Sequence, residues 1–297
     1  MPFTRDLDRG FIEELNKLYK DRASWWRALV EDESVFIAIR NNAINAYAGG
    51  ASIARIEWSN GLKLRVNRKF LILLKSADGN DPYLDLLAPA GPPVEAITVN
   101  DSSQYVEHLG AIKAAARRLA GTERSGETDL AASCPCVLDV EAAFNSAGAG
   151  PDSEEPIGSV GRIDIVAIND RGQLTLTEAK LYSNGELRSR TEPVVCTQLV
   201  EYYNWARDHE ADIIAAYSQV LAYRRDLGLT SEPLPQIAGL DVTPRLLIFG
   251  FDKAQKSLLA DISQRIISGV KDRILNFTEK QIRTVGGPSS LRAHHLQ

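Results

Sequence analysis

Asp164, Glu178 and Lys180 are residues whose types and spacing could do chemistry together. They lie in the stretch 161–180, Gly-Arg-Ile-Asp-Ile-Val-Ala-Ile-Asn-Asp-Arg-Gly-Gln-Leu-Thr-Leu-Thr-Glu-Ala-Lys. Residues 162–168 are rich in Ile and Val, and residues 173–181 alternate Leu, Thr and charge, so the stretch reads as two strands joined by a tight turn. A loop of Asp170, Arg171 and Gly172, with the glycine taking positive φ, sets Ile168 opposite Leu174, Val166 opposite Leu176 and Asp164 opposite Glu178. A loop one residue longer or shorter would set Asp164 against Thr177, so the apolar pattern supports the register that joins the carboxylates. Lys180 shares their face, because strand side chains alternate with period two. Two neighbouring carboxylates repel each other, and a hard divalent cation such as Mg²⁺ between them relieves the repulsion. A lysine two residues on could hold an attacking water or stabilise charge growing on a phosphate. The competing reading is a surface hairpin with a solvated salt-bridge cluster. Here the charges interrupt the apolar face rather than decorate the polar one, which favours a site.

Beyond the hairpin, Gln198 and Tyr202 are four apart in a stretch, 194–208, that reads as a helix, so they share one helix face. Upstream, Pro135 allows a helix to start near Cys136, with Val137, Val140 and Phe144 on its apolar side and Glu141 beside them.

Asp164 followed by Glu178-Ala179-Lys180 at the end of the next strand resembles the Asp…(Glu/Asp)-x-Lys signature of the PD-(D/E)XK nuclease superfamily. Gln198-Leu199-Val200-Glu201-Tyr202 is similar to the Gln-x-x-x-Tyr motif of its RecB-like branch. The proline of the family name is missing, since Ile163 precedes Asp164. The resemblance covers roughly residues 130–250. It implies a restriction-endonuclease-like α/β fold and metal-dependent hydrolysis of nucleic-acid phosphodiesters, with DNA the favoured substrate. In that reading Asp164 and Glu178 bind Mg²⁺ or Mn²⁺ and Ala179 offers its backbone carbonyl. Glu141 matches an acidic residue that many members carry on the helix before the sheet, and would complete the site. Asp139 is a lesser candidate. Lys180 orients the attacking water, and Gln198 and Tyr202 position Lys180 or the phosphate. The alternative is a non-catalytic nucleic-acid-binding or protein-interaction module on a nuclease fold. Restriction, phage defence and DNA repair all use such folds, and a fold does not select among them.

The remaining elements must position these residues or bring substrate to them. Residues 6–30 read as helical, with Trp25 and Trp26 as core anchors, and residues 34–74 as an antiparallel meander of short strands, the last at 70–74. One of its hairpins can be registered with Ser59, Asn60 and Gly61 as the loop. Trp58 then faces Leu62, Ile56 faces Leu64, and Arg55 lies opposite Arg65 with Glu57 opposite Lys63. Like charges opposite each other are unfavourable unless an anion joins them, so Arg55, Lys63, Arg65 and nearby Arg68 are candidates for phosphate contact; a solvated face is the alternative. Arg188 and Arg190 follow Lys180 closely and could clamp a phosphate backbone. Residues 76–100 read as a long loop, 102–120 as a helix, 147–159 as a loop, 210–227 as a helix, 244–251 as a buried strand and 253–275 as an amphipathic helix. The expected architecture is a central mixed sheet flanked by helices, preceded by a smaller β-rich N-terminal domain. Its boundaries fall at 1–100, 101–282 and a disordered tail at 283–297, whose His294-His295 pair lacks partners for a metal site.

The chain has 297 residues, 44% hydrophobic and 25% charged, as for an ordinary globular protein. A net charge of −5 argues against nucleic-acid packaging but leaves room for a local basic groove. Three cysteines are too few for a disulfide framework or a four-cysteine iron–sulfur cluster, so reduced thiols and a cytoplasmic setting are expected. No signal core or membrane-spanning run is evident. A second copy of the chain or a protein partner is left open.

Overall fold

The computed structural model describes residues 3–71, 83–87, 99, 101–143, 161–189, 192–230, 233–286 and 296. Asp8 opens the chain's first helix, α1 (Arg9–Lys20), by accepting from the Gly10 N–H, and Ser24 opens α2 (Trp25–Val30) by accepting from Arg27. Phe11, Leu15, Trp25, Trp26 and Leu29 form their buried sides. The meander follows as β1 (Phe36–Arg40), β2 (Ala43–Ala48), β3 (Ala51–Trp58), β4 (Leu62–Asn67) and β5 (Tyr83–Asp85), an antiparallel sheet in sequence order. The β3–β4 register pairs Trp58 with Leu62, Ile56 with Leu64, Arg55 with Arg65 and Glu57 with Lys63, as expected. Where the sequence suggests a strand at 70–74, residues Arg68–Phe70 form a 3₁₀ turn and residues 72–74 lie outside the described residues.

Two helices, α3 (Ser102–Glu107) and α4 (Leu109–Ser133), come next, with Gly121 at φ 81° breaking the path of α4. The rest of the chain forms β6 (Val137–Ala143), β7 (Arg162–Ile168), β8 (Gln173–Leu181), α5 (Val194–Asp208), α6 (Glu210–Asp226), β9 (Gly239–Phe249), α7 (Leu259–Val270) and β10 (Ile282–Val285). These strands make a mixed sheet in the order β10-β9-β8-β7-β6. β6, β7 and β8 are antiparallel neighbours, and β8, β9 and β10 run parallel. Among the described residues the molecule is thus α/β with two five-stranded sheets. Central β8 is buried along most of its length, as a strand covered on both faces must be. Leu246 and Ile248 of β9 share one core cluster with Val195 and Leu199 of α5 and Ile262 and Ile266 of α7.

The chain divides into two compact units. One comprises residues 5–132 and 219–231, the other residues 1–4, 133–218 and 232–297. The helices at 101–132 therefore group with the meander rather than beginning the mixed-sheet unit, and α6 is shared, its second half belonging with the meander. Residues 283–285 belong to β10 rather than to a disordered tail, while 287–295, with the His294-His295 pair, fall outside the described residues.

Two further expectations are corrected. Glu141 is not on a helix, because residues 137–143 form β6, paired with β7. The three-residue spacing of Val137 and Val140 suits a helix and puts them on opposite faces of a strand; the strand forms because both faces of 137–140 are buried and the stretch pairs with the apolar β7. Cys134 and Cys136 are joined by a disulfide rather than held as free thiols, the Cα atoms on either side of Pro135 lying 5.2 Å apart. Cys196 alone is a free, buried thiol. Among the described residues no helix is long and apolar enough to cross a membrane.

Candidate active site

The β7–β8 turn closes as its sequence requires. Gly172 N donates to the Asn169 carbonyl at 2.9 Å, and Asn169 N to the Gln173 carbonyl at 3.0 Å. Gly172 has φ 76°, and a Cβ there would lie 2.2 Å from the Gln236 carbonyl oxygen, so no other residue fits. Ile168 then pairs with Leu174, Val166 with Leu176 and Ile165 with Thr177. The same register sets Asp164 opposite Glu178. Here the backbone ladder has ended, and the Ala179 N–H donates to Asp164 Oδ2 at 2.8 Å. A side-chain carboxylate has taken the place of a strand carbonyl, which orients Asp164 and opens the two strands where the acids face each other.

Glu178 is 1% exposed. Its Oε1 is 2.6 Å from Lys180 Nζ, while its Oε2 is buried and receives no hydrogen bond. Tyr202 and Asp164 lie close to the Glu178 carboxyl and, with Lys180, offset part of the effect of burial. The Tyr202 hydroxyl donates to the Arg162 carbonyl at 2.6 Å. Burial pushes the Glu178 carboxyl above the usual carboxylate range, outweighing the lowering by Lys180. Burial would lower the Lys180 ammonium, yet the Glu178 and Asp164 carboxylates outweigh it and hold the lysine above its ordinary value. Burial, then Glu178 and Asp164, raise the Tyr202 phenol.

A bare buried carboxylate oxygen beside a second carboxylate is what a hard divalent cation would satisfy. The donor set, two carboxylates with no thiol or imidazole, suits Mg²⁺ or Mn²⁺. The fit extends to two acids only. Among the described residues no group of three or more His, Cys, Asp or Glu side chains is placed to hold a metal. Glu141 occupies the β6 position between the Val140–Ile165 and Ala142–Ile163 pairs, opposite Asp164, but its carboxylate pairs with Arg162 Nη1 at 3.6 Å. Its backbone is left-handed, at φ 47°. Asp139 is fully buried and receives the Tyr217 hydroxyl at 3.0 Å, which accounts for it as an internal hydrogen-bond acceptor.

Gln198 and Tyr202 lie one turn apart on α5. Gln198 Oε1 is buried and receives no hydrogen bond, and Tyr202 ties α5 to the start of β7 through Arg162. Two participants are absent from the sequence reading. Arg162 is the cation facing Glu141, and Glu186 Oε2 lies 3.0 Å from Lys180 Nζ. Strand alternation would have found Arg162, two residues before Asp164; Glu186 depends on a turn after β8 that alternation does not describe.

The arginines divide. Arg188 donates to the Tyr182 carbonyl at 2.9 Å and stacks over the Tyr182 ring, 4.6 Å from its centroid, remaining on the exposed surface. Arg190 lies outside the described residues. In the meander, Glu57 joins the opposed arginines, 2.5 Å from Arg55 and 3.7 Å from Arg65. Lys63 is exposed, and Arg68 Nε is buried with no hydrogen-bond partner.

Comparison with protein-family models, with curated proteins and with solved structures finds no match.

Proposed function

We propose that this chain is a metal-dependent nuclease that hydrolyses phosphodiester bonds of nucleic acid, DNA in the first instance, on a restriction-endonuclease-like sheet. The observation that carries the reading is the pair Asp164 and Glu178 on adjacent strands, with Lys180 Nζ 2.6 Å from one Glu178 oxygen and the other oxygen buried without a donor. Asp164 and Glu178 would hold Mg²⁺ or Mn²⁺, with the Ala179 carbonyl as the third donor that the family resemblance implies. A bound ion supplies Lewis acidity at the phosphate and a lowered pKa for bound water.

The chain's own groups do the rest. Asp164 is fixed by the Ala179 N–H, so one ligand is oriented before any ion arrives. Lys180 keeps its charge and offers its N–H donors to an attacking water or to charge developing on the phosphate. Tyr202 holds the start of β7 against α5, which fixes the approach to Asp164. Arg188 on the exposed surface offers guanidinium N–H groups to a phosphate backbone.

The test is cleavage of single-stranded DNA, double-stranded DNA and RNA by purified protein with Mg²⁺, Mn²⁺ or EDTA. Metal-dependent cutting of any of these that Asp164→Ala abolishes supports the reading. No cutting with either metal overturns it in favour of a binding module.

A further inference from the structure

Lys180 makes close ion pairs with two carboxylates, and only Glu178 of these belongs to the candidate ligand pair. Its Nζ lies 2.6 Å from Glu178 Oε1 and 3.0 Å from Glu186 Oε2. An ion bound by Glu178 draws on the same carboxylate that now holds the ammonium. A lysine carries a flexible four-carbon stem, so as an ion at Oε2 weakens the hold of Glu178 on the ammonium, a second partner is needed to keep it in place.

Glu186 stands on a firm support. It lies in the 3₁₀ turn Gly185–Leu187, which Asn184 caps by accepting from the Glu186 N–H at 2.9 Å. Asn184 N in turn donates to the Leu181 carbonyl at 2.8 Å, and Leu187 is fully buried in the cluster with Val195, Leu199 and Ile262. The turn is therefore anchored at both ends, to β8 and to the core. Lys180 itself is 7% exposed, so its ammonium depends chiefly on partners within the protein.

We propose that Glu186 is the positioning residue for Lys180, retaining the ammonium beside the reaction centre when Glu178 is occupied by a metal ion. The proposal deepens the nuclease reading and takes its catalytic consequence from it. Glu186 touches neither the ion nor the substrate and acts through Lys180.

The decisive experiment needs neither metal nor activity. Lys180 acetylation by acetic anhydride is followed by mass spectrometry in wild type, Glu178→Gln, Glu186→Gln and the double variant, with near-ultraviolet circular dichroism confirming that each is folded. Lys180 stays protected in Glu178→Gln, because Glu186 still holds it. In the double variant labelling rises about tenfold, the scale expected when a largely buried ammonium loses its remaining ion-pair partner. Equal labelling of Glu178→Gln and the double variant overturns the proposal.

The second measurement reads the consequence. Glu186→Gln lowers turnover of DNA about tenfold to a hundredfold through misplacement of Lys180, while KM and Mn²⁺ affinity stay as in wild type. Loss of Mn²⁺ affinity as large as that in Glu178→Gln would make Glu186 a ligand and overturn the positioning role. If wild type cuts no nucleic acid, the nuclease reading falls, and the labelling comparison still decides whether Glu186 holds Lys180.

Discussion

Lys180 Nζ and Glu178 Oε1 are 2.6 Å apart on the same buried face of one strand, two residues from each other. A lysine that only balanced charge and a lysine that helps attack a phosphate give different variants. Lys180→Ala should lose about 10²–10³ in cleavage rate, as for removal of one well-placed donor, while keeping much of the metal and DNA affinity. Asp164→Ala should lose metal binding as well, because a ligand is gone. Calorimetric titration with Mn²⁺ beside single-turnover cleavage separates the two. Equal cleavage by wild type and Lys180→Ala would dismiss this active site even if the protein is a nuclease.

Glu141 gives a graded expectation. Its carboxylate is engaged with Arg162 rather than joined to the acid pair, so Glu141→Gln should weaken Mn²⁺ binding by about tenfold, the low end for residues that act through a ligand's neighbours. Asp164→Asn should weaken it far more. Equal losses in the two variants would show that Glu141 swings from Arg162 to the ion.

The meander's arginines carry a salt-dependence test. Glu57 already neutralises part of the Arg55 and Arg65 charge. If this face meets nucleic acid, Glu57→Gln should tighten DNA binding, and Arg55→Gln with Arg65→Gln should reduce the slope of log affinity against log salt by about 1.8, roughly 0.9 for each phosphate no longer neutralised. Fluorescence anisotropy between low and moderate salt reads both. Unchanged slopes would leave Arg55, Glu57 and Arg65 as an internal ion cluster.

Acid stability should depend on Asp32. Burial alone would raise its carboxyl, but hydrogen bonds from Lys113 and Ser34 outweigh burial and hold it below the ordinary carboxylate value. A depressed acid adds stability above its unfolded pKa and loses it as pH falls through the folded value. Lys113→Met should therefore cost about 1 kcal/mol at pH 7, discounted for partial exposure, and the gap to wild type should close below about pH 4. Urea denaturation at a series of pH values measures it; a gap that persists undiminished in acid would assign the loss to packing.

The β7–β8 hairpin is legible in the sequence because two independent signals agree. Apolar alternation selects one register, and Gly172 supplies the one turn that closes it. That agreement also places Asp164, Glu178 and Lys180 on one face. The Arg55–Arg65 opposition follows in the same way from Gly61 and the alternation around it. β6 reads as a helix in the sequence because Val137 and Val140 fit a helical spacing, and the pairing that makes them a strand comes from residues more than twenty positions away. β10, with four residues, is too short to carry a period, and the Cys134–Cys136 bridge depends on how Pro135 bends the chain. The role of Glu186 is hidden in the sequence because its approach to Lys180 depends on a capped turn, and no repeat pattern describes it.

The two stretches of the meander unit arrive at different times during synthesis. Arg224 Nη1 donates to the Ile37 carbonyl at 3.0 Å, and its guanidinium lies over the Phe36 ring. β1 is the outermost strand of its sheet, so this arginine covers part of an open edge. It is made 187 residues after Ile37. At about 5–20 residues per second, the ribosome delivers it roughly 10–40 s later. Through that interval the nascent meander presents an uncovered strand edge, available to chaperones or to neighbouring chains on the same message. A fragment ending at Ala132 would keep that edge open permanently.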